Sequence, residues 1–377
     1  MTKLNKITAL GVVVLILSAC GGNNGDPSPG ENAKDRKPIL THWADNIIVP
    51  SYAAFKGKFD VMVSKGDAFA TAPDAASLVA FRAAWVDAYA EWQKVELFEF
   101  GPADRYTLRS FFNIYPTDVN GIAANISDPS ASLDLPASYT RQGFPALDYL
   151  INGVGSDDQA IVAYYTASVE GPKRTAYIKR LTSRMNTLLT NVITEWGTYR
   201  DTFISKTGLD VSSSTGLVVN AYVLYFERYI RTGKIGIPSG ATVTTAGVPY
   251  PEKVEAFYKK DLSLALVKNA TLAVQGFFNG KDVVTGTEGP SLASYLDALE
   301  AKDAASGTLL STVIKNQFSE INGKLEPLSP NLTQQVQTNN QAMLDVYAAM
   351  QKMVRILKVD MTSAMSVTIT YTDNDGD

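Results

Sequence analysis

Apolar residues recur every three or four positions over most of this chain, which is the spacing that puts them on one face of an α-helix. Trp43 and Phe55 lie on the apolar face of a first predicted helix, in which Pro50 predicts a kink or a break. Phe81 and Trp85 belong to a second, for which Ser77 is the predicted cap. The same spacing predicts further helices over residues 156–168, 172–203, 217–231, 251–278, 292–301 and 332–357.

One stretch departs from this pattern. Residues 366–371 alternate Ser or Thr with Val, Ile or Tyr, which predicts a single short strand. Elsewhere the pattern is helical, so we predict an all-α fold built from bundles of the four-helix type.

The length of 377 residues favours two domains rather than one core. Residues 234–251 are rich in Gly, Pro and Thr, and we place the boundary there. The prediction is an N-terminal helical bundle over 39–235 and a C-terminal helical bundle with an acidic tail over 236–377. Residues 289–296 echo residues 143–150 at their Gly, Tyr and Leu positions, which indicates a pseudo-duplication.

The first residues have the pattern of a processed segment. Lys3 and Lys6 precede an apolar run over 7–17 that is too short for a good transmembrane helix. The following Leu17-Ser18-Ala19-Cys20-Gly21 resembles the lipobox of bacterial lipoproteins. We therefore predict a signal peptide over 1–19, a lipidated Cys20 that anchors the chain to the outer membrane, and a flexible tether over 20–38.

Composition and charge exclude several classes of function. Cys20 is the only cysteine, so no disulfide is expected and packing must hold the fold. The net charge is −4 and no strong basic patch is evident, so nucleic acid is not an expected partner. His42 is the only histidine, which excludes a His-Glu-x-x-His zinc site, and no Gly-x-Ser-x-Gly lies near it.

The stretch from Gly143 to Gly153 is the most informative part of the chain. A Gly and a Pro open an apolar run, and a second Gly closes it. Pro145 suits the first turn of a helix, and Asp148 suits the positive end of the helix dipole. Without further information, Asp148 is equally well explained as an ordinary carboxylate at a helix start.

This stretch resembles the signature region of the imelysin-like proteins, a bacterial envelope family tied to iron uptake and first labelled as peptidases. That family carries Gly-x-His-x-x-Glu here, whereas this chain has Gly143, then Pro145 in place of the His and Asp148 in place of the Glu. The segments 98–102, 113–118, 228–238 and 367–377 fit the same family. The resemblance implies two helical bundles that face each other across a cleft, with the ligand site in the cleft.

An oxygen-rich metal site is expected in the cleft if the two bundles bring Asp148 together with other carboxylates and a phenol. Asp148, Glu96 and Tyr115 are the predicted metal ligands, with Glu99 and Asp118 as further candidates. Their oxygens suit iron or another hard divalent or trivalent cation. The alternative is that the glutamates form a solvated helix face and that Tyr115 is a core residue.

Two cationic side chains are predicted to place positive charge at the cleft, where they would bind an anionic ligand such as a ferric chelate. These are Arg228 and Lys234, although an ordinary surface ion pair between Glu227 and Arg231 is the alternative role for this helix. The complete predicted ligand-binding set is Gly143, Pro145, Asp148, Trp85, Arg228 and Lys234.

The favoured interpretation is a non-enzymatic envelope protein that binds a metal or ligand together with components of an iron-uptake system. A hydrolase and a partner-binding scaffold remain alternatives. A hydrolase would have to work without the motif His. The tail Asp373-Asn374-Asp375-Gly376-Asp377 does not fit a calcium loop, because its Gly stands at the fourth position instead of the sixth.

Overall fold

The computed structural model of this protein describes residues 35–372, all of which belong to one compact unit. These residues form helices and connecting loops, and no strand occurs among them, which confirms the predicted all-α class. Within the described part, no helix combines the length and apolar character needed to cross a membrane. The predicted signal peptide, Cys20 and the acidic tail over 373–377 lie outside the described residues.

Sixteen stretches between residues 35 and 372 are α-helical. The first eight are α1 Lys37–His42, α2 Val49–Thr71, α3 Ala75–Trp92, α4 Pro102–Arg105, α5 Leu108–Phe112, α6 Val119–Ser127, α7 Gly143–Asp148 and α8 Asp158–Thr166. The others are α9 Gly171–Ser205, α10 Ser214–Leu224, α11 Ile237–Ser239, α12 Ser263–Asn279, α13 Leu292–Ala298, α14 Leu310–Leu325, α15 Leu332–Arg355 and α16 Thr362–Ala364. Wider π-helical segments cover Trp43–Ile48, Tyr149–Gly153, Tyr225–Gly236 and Ile356–Met361.

Helix starts follow local rules, with two differences from the predictions. The chain does not break at Pro50, because the π-helical segment Trp43–Ile48 joins α1 to α2 and leaves Pro50 in the first turn of α2. The N-cap of α3 is Asp74 rather than Ser77. Asp74 Oδ1 accepts from the Ser77 amide at 2.7 Å, and the Ser77 hydroxyl accepts from the Asp74 amide at 3.1 Å.

Aromatic side chains fill the interior between α2, α3, α5 and α7. Phe55 lies 5.5 Å from Trp92 between ring centroids, and Trp92 lies 4.9 Å from Phe112. Tyr89 stacks on Phe144 of α7 at 4.5 Å. Such pairs add about 0.5–1.5 kcal/mol each beyond their burial. Buried aromatic contacts therefore hold α7 in place.

The predicted helix over 251–278 is wrong in its first part, because α12 begins only at Ser263. The 254–260 segment before it is irregular. Ala256 and Lys260 have φ of +54° and +64°, and a left-handed backbone cannot continue a right-handed helix.

Buried residues from both halves of the chain form one hydrophobic cluster. The Phe277 ring of α12 lies 5.2 Å from Trp43, 5.7 Å from Phe98 and 5.9 Å from Tyr222. The predicted boundary between residues 235 and 236 falls inside the helical stretch formed by Tyr225–Gly236 and α11. The division into two bundles stays a prediction.

Two loops of matching sequence flank α13, a repeat that the sequence analysis did not find. They contain Lys281-Asp282-Val283-Val284-Thr285-Gly286-Thr287 and Lys302-Asp303-Ala304-Ala305-Ser306-Gly307-Thr308. In each, the Gly amide donates to the Asp carbonyl at 2.9 Å, and each has one isolated β-bridge. The single histidine has a structural position here, because His42 Nε2 lies 2.8 Å from the Gly280 carbonyl oxygen.

The predicted strand over residues 366–371 is wrong. The side-chain amide of Asn220, rather than a second strand, satisfies the backbone there. Its Nδ2 donates to the Thr368 carbonyl at 2.9 Å, and its Oδ1 accepts from the Thr370 amide at 2.7 Å. The last described residues are thereby fixed to α10.

Gly143 tests how tightly α7 is held. Its φ is +77°, and a Cβ there would lie 2.3 Å from the Phe112 carbonyl oxygen. Left-handed strain and overpacking each cost a side chain about 1–3 kcal/mol. We therefore expect Gly143→Ala to lower the free energy of unfolding in urea by about 2 kcal/mol or more.

The matched control is Gly197→Ala in α9, where a Cβ would meet nothing within 4 Å. Ala is the better helix former by about 0.5–1 kcal/mol, so this variant should be slightly more stable than the parent. Similar effects of the two substitutions would contradict the assigned constraint.

Asn220→Ala tests the attachment of the C-terminal segment. The change leaves the Thr368 carbonyl and the Thr370 amide without this partner, and an unsatisfied group costs about 1–3 kcal/mol. We expect faster amide hydrogen exchange at Thr370, with the exchange of α2 and α3 unchanged. Unchanged exchange at Thr370 would show that the side-chain amide does not hold this segment.

Candidate functional site

A cavity of about 220 Å³ lies where α7 meets the 254–260 segment and the residues that follow α5. Three of the predicted site residues, Tyr115, Pro145 and Asp148, share its wall. The other lining residues are Pro116, Thr117, Glu252, Val254, Ala256, Phe257 and Tyr258.

Two further predicted residues shape this cavity without lining it. Gly143 has a positive φ, and its missing side chain lets α7 approach the Phe112 carbonyl closely. The Trp85 ring is fully buried, and its Nε1 donates to the Phe144 carbonyl at 3.3 Å. Both residues therefore position α7 instead of contacting a ligand.

Asp148 is the central group of the cavity. It is only 1% exposed, and its Oδ1 accepts from Asn152 Nδ2 at 2.9 Å. Its Oδ2 accepts from the Tyr258 amide at 2.9 Å, across 110 residues of sequence. Burial raises the pKa of Asp148 to about 7, against the opposing effect of these hydrogen bonds. The carboxyl therefore exchanges its proton close to neutral pH.

A buried ionic cluster lies behind the cavity. Lys234 Nζ is 2.5 Å from Glu255 Oε2 and 3.9 Å from Glu96 Oε2. Asn113 Nδ2 donates to both carboxylates, at 3.0 Å to Glu96 and 2.8 Å to Glu255. Burial raises the pKa of Glu96, which the positive charge of Lys234 opposes. Lys234 thus neutralises carboxylates of this chain instead of facing an anionic ligand.

Tyr115 lies between the cavity and this cluster. Burial raises the pKa of its phenol well above its usual value, with further contributions from the charges of Glu255 and Glu96. Glu96 itself is occupied, because its Oε2 also accepts from the Tyr225 hydroxyl at 3.1 Å. Tyr115 therefore shares the cavity with Asp148 and lies near the carboxylates of Glu255 and Glu96. Asp148 and Glu96 themselves have separate sets of hydrogen-bond partners.

The remaining candidates lie elsewhere. Glu99 accepts from the Arg109 amide at 3.1 Å, and burial raises its pKa to about 7. Asp118 caps α6 through the Gly121 amide at 2.9 Å and pairs with Arg141. Across residues 35–372, no group of three or more His, Cys, Asp or Glu side chains is placed to hold a metal ion.

Arg228 contacts the C-terminal segment, where its Nη2 donates to the Thr372 carbonyl at 2.9 Å. Glu227 and Arg231 approach to 4.0 Å, but both are buried, so the predicted surface pair is wrong in its location. Glu227 is also bonded to Lys358 and Tyr371, at 2.9 and 2.6 Å.

The sequence analysis missed Glu255 and Tyr258, because both fell inside the helix predicted over 251–278. Glu255 stands alone between Val254 and Ala256, and a single acid in an apolar stretch was the available signal of a buried carboxylate. Its partners could not be identified from that signal, since they come from α3, from the residue after α5 and from the π-helical segment Tyr225–Gly236.

A second cavity of about 380 Å³ adjoins the first and shares Tyr258 with it. Its other lining residues are Val79, Arg82, Asn152 and Lys259. Asn152 connects the two cavities, because its amide also binds Asp148. A larger groove of about 780 Å³ beside α15 contains none of the predicted site residues.

The fold and several sequence segments are shared with known proteins. Iron-regulated protein A of Synechococcus elongatus is 28% identical over 148 residues, which are 38% of this chain and 38% of that relative. This chain thus matches well under half the length of that curated relative.

Two crystal structures have a similar fold. An iron-regulated protein A precursor from Parabacteroides distasonis gives a TM-score of 0.70 at 16% identity, covering 88% of this chain and 95% of that one. An imelysin-like protein from Psychrobacter arcticum gives 0.67 at 17% identity, covering 90% and 98%. Residues 48–359 match the model of the imelysin family, which confirms the predicted resemblance over most of the sequence. This chain belongs to the imelysin family.

Proposed function

We propose that this protein binds a hard metal cation, or a complex of one, in the cavity beside Asp148, and that it serves iron handling in the bacterial cell envelope. Two of the similar proteins carry the name iron-regulated protein A, which supports the choice of iron. Iron is here the proposed cargo of the protein.

The observation that carries this proposal is the state of the Asp148 carboxyl. It lies on a cavity wall and accepts from Asn152 Nδ2 and the Tyr258 amide, each at 2.9 Å, with the Lys259 amide as a third donor. A carboxylate has about four acceptor positions, so Asp148 retains about one of them for a cation. Tyr115 is a further lining residue of the same cavity.

The small number of side-chain ligands limits the form of the metal. Hard cations take six or more oxygen ligands, and Asp148 and Tyr115 can supply only part of that number. A bound ion therefore keeps water or the oxygens of a chelator in its other positions. This requirement favours transport or sensing of a metal complex over a permanent structural metal.

A hydrolase is the second candidate, because a carboxyl with a pKa of about 7 has the value suited to a general base. His42 does not line the cavity and is bonded to Gly280 instead. Peptidase activity that Asp148→Asn abolishes, with the fold retained by circular dichroism, would support the hydrolase over the binding protein.

The pH dependence of metal affinity tests the site. Because a cation must displace the Asp148 proton below pH 7, log K for Mn²⁺ or anaerobic Fe²⁺ should rise by about one per pH unit up to about pH 7 and then level off. Asp148→Asn should remove this slope and weaken binding about tenfold or more, measured by isothermal titration calorimetry.

The control for that experiment is Asp345→Asn, an exposed carboxylate bonded to Gln341 on α15. It should retain the affinity and pH profile of the parent. If Asp148→Asn behaved like this control, the metal would not bind at Asp148.

The envelope location rests on the predicted lipidation of Cys20. Because several acyl chains on one residue give stable anchoring, the parent chain should sediment with membranes and require detergent for release. Cys20→Ser should recover in the soluble fraction. Membrane recovery of the Cys20→Ser chain equal to that of the parent would refute the anchor.

A further inference from the structure

Tyr258 lines the Asp148 cavity, and the rings of Tyr149 and Tyr164 follow it in one aromatic cluster. Tyr258 lies 5.2 Å from Tyr149 between ring centroids, and both are partly exposed. Tyr164 is close enough to Tyr149 that its charge would raise the pKa of that phenol, after the larger effect of burial. The guanidinium of Arg174 lies 3.8 Å above the Tyr164 ring. Tyr258 thus presents aromatic surface to the cavity, with Tyr149 packed against it.

The Tyr258 ring is held in place from behind by a close approach of the backbone. A Cβ on Gly153 would lie 2.4 Å from Tyr258 Cδ1 and 2.9 Å from Tyr149 Cδ2. The backbone amide of Tyr258 is bonded to Asp148 at 2.9 Å. Since backbone and ring are both constrained, the ring is preorganised as part of the wall that the two adjacent cavities share.

The second cavity adds positive charge on the far side of Tyr258. Arg82 and Lys259 pair with Asp158 and Asp261, each at 2.5 Å. The two acids are exposed to 49% and 68%, and ion pairs with exposed partners contribute little. An incoming anion can therefore replace these aspartates at little cost.

We propose that the cargo is an anionic metal chelate whose ligand carries an aromatic ring with oxygen donors, as in a catecholate or a salicylate. The metal lies beside Asp148 and Tyr115, the ligand ring packs on Tyr258, and its negative charge faces Arg82 and Lys259. This inference rests on the proposed function, and it names the class of complex that the same site takes. Aromatic packing on Tyr258 and the positive charges of Arg82 and Lys259 both favour a ring that carries negative charge.

The test compares two gallium(III) complexes that differ in their ligand. Ga³⁺ with 2,3-dihydroxybenzoate supplies the aromatic ring, and Ga³⁺ with citrate supplies an anionic chelate without one. Binding to the full-length chain in detergent is measured by equilibrium dialysis. We expect the aromatic complex to bind at least about tenfold more tightly.

Substitutions at Tyr258 keep the backbone amide that binds Asp148, so they test the contribution of the ring alone. Tyr258→Leu should reduce the tenfold preference to about one, and Tyr258→Phe should retain it. Gly153→Ala, which displaces the ring while leaving the tyrosine intact, should also lose the preference. It serves as the second variant if Tyr258→Leu does not fold.

Charge is tested with two lysines of similar exposure. Lys259→Gln should weaken both complexes several-fold. Lys268→Gln, whose parent lysine is likewise 28% exposed and pairs with Glu326 at 2.6 Å, should weaken neither.

The outcomes separate this inference from the proposed function. Equal affinities for the two complexes, or a preference that survives Tyr258→Leu, overturn the aromatic class. Citrate-complex binding that still depends on Asp148 would then leave the proposed function standing. Binding of neither complex, and of no free metal, would overturn both.

Discussion

The buried ion pair between Lys234 and Glu255 determines how distant parts of the chain meet. Taking a charge out of water costs several kcal/mol, which the partner must recover through close geometry and further hydrogen bonds. Here Lys234 comes from the π-helical segment Tyr225–Gly236, and Glu255 comes from the 254–260 segment. Asn113 donates to Glu255 and to Glu96, so the residue after α5 is held as well.

The cavity depends on this pair through the 254–260 segment. Glu255 turns inward to the ionic cluster, while the Tyr258 amide binds Asp148 on the other side. The left-handed backbone at Ala256 and Lys260 costs about 1–2 kcal/mol each, and the two sets of polar contacts offset that strain. One irregular segment therefore carries both the buried charge and the cavity wall.

Burial explains the chemistry of the site. Asp148 and Glu96 are both carboxyls whose pKa is raised by the loss of water, yet only Asp148 lines the cavity. Glu96 is surrounded by donors from Asn113 and Tyr225 and is near Lys234, which suits a structural role. Pro145 and Asp148 stand where the family motif has His and Glu. The exchange removes an imidazole and retains a carboxylate, whose oxygens are hard donors.

Much of the fold could be predicted because helical periodicity is a local property. The spacing around Phe81 and Trp85 predicted α3, and the spacing over residues 172–203 and 332–357 predicted α9 and α15. The Gly143 to Gly153 stretch indicated the family. Predictions failed where a local sequence pattern was compatible with two backbone conformations. Residues 251–262 carry helical spacing, yet the bonds made by Glu255 and Tyr258 impose another backbone. Residues 366–371 alternate like a strand, yet a side-chain amide provides their pairing.

The sequence by itself therefore determined most of the helices, the family, and the placement of Asp148 three residues after Pro145. Only the tertiary structure decided which charges are available. Lys234 and Arg228 look alike as cations near one helix end, but one neutralises buried carboxylates and the other holds the C-terminal segment. These roles follow from contacts between residues far apart in the chain. The free energy of a buried charge depends on those neighbours and not on the residues beside it in sequence.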